Sequence, residues 1–246
     1  MKCMTVAIMA VLACTSLALG GVMSIAINFG ADEPPGVGSP VTGSAGVLGT
    51  ATWNNLNGAS GTAAGLTADI GGVATPSPVS VEWSSPNTWS STGRGEENNT
   101  APPGNDRNLM TGFLDTGDSA GRGVGILVSG IPAELTPFGY DVYVYIQGGV
   151  SGRGGYYTIG GITKPNTVVG PFDGTFVEGP QGNYLLFDDV NLPGGFTLTS
   201  QASPAGFRAP INGMEVVANV PEASGFGLLG VVASLFCLGR RRTDRL

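Results

Sequence analysis

Between residues 21 and 219, apolar side chains never settle into the 3.6-residue spacing of an amphipathic helix. Residues 63–70 come nearest, with enough for one helical turn. Short runs rich in β-branched and aromatic residues occur instead, broken by clusters of Gly, Asn, Asp and Pro; the chain has 42 Gly and 17 Pro to supply the breaks. This pattern leaves an all-β fold as the consistent solution. Strands are expected at residues 24–29, 79–83, 108–114, 123–129, 140–147, 155–159, 167–170, 183–187, 196–200 and 213–217. Ten short strands in about 200 residues imply one domain of two packed antiparallel sheets, a jelly-roll-like β-sandwich. No internal repeat recurs at a fixed period.

The run Tyr140-Asp141-Val142-Tyr143-Val144-Tyr145-Ile146 is the most informative strand. Val142, Val144 and Ile146 share one face, and Tyr143 and Tyr145 share the other. Both faces are apolar or aromatic, so this strand is expected to be central, with a second side that is covered or faces a ligand. Two segments read as loops. Residues 36–49 are rich in Gly, Ser and Val and carry no charge. Residues 84–106 are long and polar, and a loop of that length is usually functional or mobile.

Composition excludes several chemistries. The chain has no histidine, which removes Ser-His-Asp and Cys-His nucleophile systems and the usual His-bearing zinc sites. Lys164 is the only lysine between residues 21 and 219, which leaves little room for Ser-Lys chemistry. The same span holds sixteen acidic against six basic side chains, a net charge of −10. It has no basic stripe, so nucleic acid is not an expected partner. The three cysteines, Cys3, Cys14 and Cys237, all lie outside the body, which therefore has no disulfide.

The two ends read as targeting segments. Residues 1–20 have the form of a signal peptide: Lys2 gives the positive start, Val6 to Leu19 is apolar, and Ala18-Leu19-Gly20 is a small-x-small cleavage site. Cleavage after Ser24 or Ala26 stays open, as does a lipoprotein box at Val11-Leu12-Ala13-Cys14. Residues 220–246 form a tail in three parts. Val220-Pro221-Glu222 is a short polar stop, Gly225 to Gly239 is uncharged and largely apolar, and Arg240, Arg241 and Arg242 follow at once. The arginines are expected to stay on the cytoplasmic side. The apolar run of fifteen residues spans roughly 22 Å as a helix, short against a hydrocarbon core of about 30 Å. It suits a transient stay in the membrane better than permanent anchoring, with a plain membrane anchor and a buried apolar helix as alternatives.

On Pro221-Glu222, the apolar run and the arginine cluster, the tail resembles the PEP-CTERM sorting signal of Gram-negative bacteria; Ala223 stands where that family has a second proline. The resemblance implies export, a transient inner-membrane stage and processing by an exosortase-type enzyme, with a destination at the cell surface, outer envelope or extracellular matrix. Stretches of the body are similar to a group of PEP-CTERM proteins: Ile27-Asn28-Phe29-Gly30, Trp53-Asn54-Asn55-Leu56, residues 104–110, residues 140–145 and residues 208–217. That similarity implies an exported β-sandwich with no assigned chemistry. The last strand is also similar to the closing strand of galactose-binding-type jelly rolls.

Three kinds of site are eligible in the body. Trp53, Trp83, Trp89, Tyr143, Tyr145, Tyr156 and Tyr157 could stack on sugar rings or fill the core; Trp89 and Tyr157 border loops and are the preferred ligand contacts. The carboxylates of Asp32-Glu33, Asp106, Asp115, Asp118 and Asp188-Asp189 could ligate calcium or cap turns, with Asp115 and Asp118 as the named pair. Glu82, Glu96, Glu97 and Asp115 are formally available for glycoside hydrolysis through paired carboxylates. Arg107 and Arg208 are expected to brace loop carboxylates. The expectation is a non-enzymatic surface or matrix protein without a required cofactor, calcium apart. A module binding extracellular polysaccharide is the alternative, and a carboxylate-dependent glycoside hydrolase a more remote one.

Overall fold

A computed structural model of the chain describes residues 22–31, 39–117, 122–133, 136–203 and 208–220. The signal segment, Asp118 and the tail beyond Val220 lie outside the described residues. The elements in chain order are β1 (Met23–Gly30), β2 (Trp53–Asn57), β3 (Ser60–Ala64), β4 (Thr67–Ile70), β5 (Val73–Pro76), β6 (Ser80–Ser84), β7 (Asn87–Ser90), β8 (Thr92–Gly93) and β9 (Glu96–Glu97). Helix α1 (Asn105–Leu109) and strand β10 (Gly112–Asp115) follow. The rest are β11 (Gly123–Ser129), β12 (Tyr140–Tyr145), β13 (Gly154–Ile159), β14 (Ile162–Thr167), β15 (Tyr184–Val190), β16 (Gly195–Ala202) and β17 (Gly213–Ala218).

Two main sheets make the β-sandwich. One runs β15-β12-β17-β1-β4-β5, and β2 pairs in parallel with β1 beyond the end of β4. The other runs β14-β13-β16-β11-β6-β3. From β11 onward the chain passes from sheet to sheet: β12, β15 and β17 enter the first, and β13, β14 and β16 the second. This alternation stacks the two sheets face to face as a β-sandwich.

The pleat explains the core. Ile25, Ile27 and Phe29 of β1, Val142 and Val144 of β12, and Met214 and Val216 of β17 point inward from the first sheet. They meet Val81 and Trp83 of β6, Ile126 and Val128 of β11, Tyr157 and Ile159 of β13, and Leu198 of β16. Full burial of each such side chain is worth roughly 1.5–3 kcal/mol.

A second, smaller core covers the other face of the first sheet. Ala26 and Tyr145 pack there against Val41, Ala45, Trp53, Ala101, Leu109, Met110 and Phe172, which lie in or beside the connecting segments. This is why all eight residues of β1 are buried. It also resolves the two-faced reading of β12: the strand lies between β15 and β17, and its tyrosine side is covered by protein.

Several expected boundaries differ. Residues 108–114 are not one strand, because helix α1 occupies the first part and β10 begins at Gly112. The polar groups of this segment are taken up by tertiary partners: Asp106 Oδ1 accepts from the Gly46 N–H, and Asn105 Oδ1 from the Thr42 N–H. Arg107 donates to the Ala101 carbonyl, and Leu109 is buried in the second core. Residues 63–70 hold the end of β3 and all of β4 rather than a helical turn. Gly65, at φ +67°, lets the chain reverse between them. Of residues 167–170, expected as a strand, Thr167 closes β14 and 168–170 lie past its end. The long polar loop 84–106 contains β7, β8 and β9.

Candidate functional site

The structure joins four residues, Trp89, Arg94, Asp115 and Arg208, that the sequence presents separately. Trp89 sits on β7, opposite Phe113 of β10. The Arg94 guanidinium carbon lies 3.9 Å from the centroid of the indole, and that of Arg208 lies 5.5 Å from it. Arg208 Nη1 donates to Asp115 Oδ2 at 2.9 Å, and Asp115 Oδ1 accepts from the Gly117 N–H at 2.9 Å. Asp115 is fully buried, so the arginine braces a carboxylate at the end of β10. Both carboxylate oxygens expected to serve calcium are engaged by protein donors. Among the described residues no group of three or more acidic or cysteine side chains gathers around one point.

Tyr157, the second aromatic preferred as a ligand contact, is a core residue. It is fully buried, and its hydroxyl donates to the Pro210 carbonyl at 3.0 Å. Burial pushes its hydroxyl well above the usual tyrosine range. The reason is alternation: on β13 it is Tyr156 that faces outward, 44 % exposed. Trp53 and Trp83 are likewise packed in the two cores. The carboxylates eligible for hydrolysis occupy separate settings. Glu82 is exposed on β6, Glu96 and Glu97 are neighbours on β9 with Glu96 half-buried and Glu97 exposed, and Asp115 is held by Arg208.

A buried acid was not anticipated. Glu215, on β17 between Ala26 of β1 and Tyr143 of β12, is fully buried beneath the second core. Its Oε2 accepts from the Tyr145 hydroxyl at 2.7 Å, and the Thr50 side chain bonds the same carboxyl. Its Oε1 has no partner. Burial pushes the carboxyl up to about 7, against smaller opposing effects of Tyr145 and Thr50. The Tyr145 hydroxyl also accepts from the Val47 N–H at 2.9 Å, and burial together with Glu215 raises it far above the ordinary tyrosine range. Gly46, at φ +79°, is required here because a Cβ would meet the Tyr145 hydroxyl.

Among the described residues, three neighbouring depressions lie along residues 165–183 and beside residues 101–107. The first, about 620 Å³, is lined by Pro165, Asn166, Val177, Glu178 and Pro180. The second, about 340 Å³, shares Val169, Val177, Gln181 and Gly182 with it and adds Gln147, Asp173 and Asn183. The third, about 400 Å³, joins through Asp173 and Thr175 and reaches Ser44 and Asp106.

Two buried amides line these depressions with unpartnered carbonyl oxygens. Asn166 Nδ2 donates to the Gly179 and Gly182 carbonyls at 2.9 and 3.0 Å, leaving Oδ1 without a donor. Gln147 Nε2 donates to the Asn98 carbonyl at 2.6 Å and to the Gly170 carbonyl at 3.4 Å, leaving Oε1 without one. Asn183 is satisfied on both atoms, by Val177 N–H and the Thr175 carbonyl. Asp173 is exposed, and the Thr175 N–H holds its carboxyl below its ordinary value. Sequence reasoning missed these residues because amides among Gly and Pro read as turn formers. No family model, curated protein or solved structure matches the chain.

Proposed function

We propose that this chain is an exported, non-enzymatic protein of the cell surface or extracellular matrix, sorted by its C-terminal segment. The order of Pro221-Glu222, an apolar run and Arg240, Arg241 and Arg242 carries the reading. In it an exosortase-type enzyme acts on the tail while the body stands outside the membrane. The body fits such a role. Its Asp115, Tyr157 and Glu215 side chains are spent on internal hydrogen bonds, and it needs no disulfide for its two cores. Fractionation tests the proposal. The full chain is expected in the envelope fraction first and then in its processed form, whereas a chain truncated after Asn219 is expected directly in the medium. Equal distribution of the two would refute a sorting role for the tail. A polysaccharide-binding body is the second reading, favoured by the depressions along residues 165–183.

A further inference from the structure

The chain enters and leaves the body at one end of the sandwich, and that end is apolar. In the first sheet Tyr140 pairs with Ala218 and Ser24 with Val217, and the Asn219 N–H carries the ladder on to the Gly139 carbonyl. This register sets Phe138 opposite Val220, just beyond the sheet. Val22 lies beside them at the start of β1, its carbonyl accepting from the Gly71 N–H. Val73 follows the turn at Gly71 and Gly72 and pairs with Ile70. The second sheet closes the same end. The Tyr140 hydroxyl donates to the Leu192 carbonyl, Leu192 packs on Gly160, and Ile162 follows the turn at Gly160 and Gly161. Phe138, Val220, Val73 and Ile162 are 58 %, 60 %, 63 % and 55 % exposed, and Val22 is 40 % exposed. Scattered exposed valines are ordinary, but five large apolar side chains gathered where both chain ends leave the fold mark a surface that meets something apolar. The charges beside it are acidic: Asp141 Oδ1 accepts from the Asp189 N–H, and Asn219 Nδ2 donates to Asp189 Oδ1. Arg94, Arg153 and Arg208 are at the opposite end, beside Trp89, Gly148 and Asp115.

We propose that this end of the sandwich rests on a lipid bilayer with net-neutral headgroups, with Phe138, Val73 and Ile162 entering the headgroup region. The proposal rests on the reading of the tail as a membrane-inserted sorting segment. Chain length makes the contact unavoidable on that reading. The apolar run begins at Gly225, and the five steps from Val220 to Gly225 span at most roughly 18 Å. An inserted run therefore holds this end, and no other part of the body, against the membrane surface. The tether also supplies a high effective concentration, so a modest apolar area is enough to keep the contact closed. Binding at a bilayer surface scales with the apolar area buried, and anionic lipid adds to it only through lysine and arginine. Here the neighbouring charges are Asp141 and Asp189, which favour a net-neutral surface over an anionic one. A second copy docked end to end would bring these acids against their own kind.

Site-directed fluorescence tests it. The body has no cysteine, so once Cys3, Cys14 and Cys237 are replaced by Ser a single environment-sensitive dye can be attached at a chosen position. The full chain is reconstituted into phosphatidylcholine vesicles that carry a spin-labelled quencher lipid and is recovered by flotation. Dyes on Phe138→Cys and on Val73→Cys are expected to shift to the blue and to be quenched at least threefold more than a dye on Val150→Cys. Val150 is also exposed, but the six residues of β12, about 20 Å, separate it from this end. Phe138→Glu is expected to lower quenching at residue 73 at least twofold, and phosphatidylglycerol in the vesicles is expected not to raise it. A chain that fails to float overturns the tail reading and this proposal together. A chain that floats with equal quenching at all three positions overturns this proposal alone. So does a blue shift without lipid quenching, the sign of cover by a second copy or by the chain's own tail. Unchanged quenching in Phe138→Glu, or stronger quenching with phosphatidylglycerol, overturns it as well.

Discussion

Replacing Glu215 with Gln should change how the protein's stability depends on pH. In the folded protein the carboxyl titrates at about 7, against an ordinary glutamate value of 4.5. The native state therefore holds this proton more tightly than the unfolded chain. Its contribution is fully present below about 4.5, falls as pH rises through the interval, and is gone above about 7. A separation of about 2.5 decades, at ~1.36 kcal/mol per decade, is worth about 3 kcal/mol. For a domain of this size that corresponds to about 6–12 °C in thermal midpoint. The groups around the carboxyl are Tyr145, Tyr143 and Thr50, with Asp106 beyond Gly46. None of these supplies a cation to hold Glu215 ionised. The chain has no histidine, so the usual titrating side chain of this pH range is missing and the Glu215 signal is unusually clean. Urea denaturation at pH 5 and pH 8 is the assay. Wild type should lose about 3 kcal/mol between the two, and Glu215→Gln, which stays neutral, should lose far less and exceed wild type at pH 8. Equal losses in the two proteins would refute the assignment of a buried neutral acid.

Other substitutions probe the remaining contacts. Tyr145→Phe leaves Glu215 Oε2 and the Val47 N–H short of a partner and should cost about 1–3 kcal/mol by denaturant unfolding. Arg208→Ala strands the fully buried Asp115 carboxylate and should cost about 3–5 kcal/mol in the same measurement, whereas Asp115→Asn combined with Arg208→Ala should recover part of that loss. Tyr157→Phe should cost about 1 kcal/mol in the same measurement through the lost bond to the Pro210 carbonyl.

Strands with clear alternation were legible from sequence alone. β11 runs from Gly123 to Ser129 as expected, and β1, β12 and β17 differ only at their ends. β2 to β5 were not legible because Asn, Ser, Thr, Gly and Ala dominate them, and their few large apolar residues, Trp53, Leu56, Ile70 and Val73, set up no alternation to read. Pairing creates them: Gly61 of β3 is selected by Trp83 of β6, whose ring occupies the space a Cβ would need. The buried Glu215 was hidden for a related reason. It follows Met214 in a run of apolar residues, and only the second core above the sheet buries its side. The Trp89 cluster was legible in its members but not in their meeting, which depends on residues 115 and 208 lying in contact across the fold. The depressions were the least legible feature, because Gln147 and Asn166 come from different strand ends and reach neighbouring depressions only in the fold.

The central claim is that the tail is a sorting signal removed during export. Intact-mass analysis of the protein recovered from its native cell surface tests it most directly. A mature chain that lacks Arg240, Arg241 and Arg242 is expected. A surface protein that still carries residues 240–246 would contradict it.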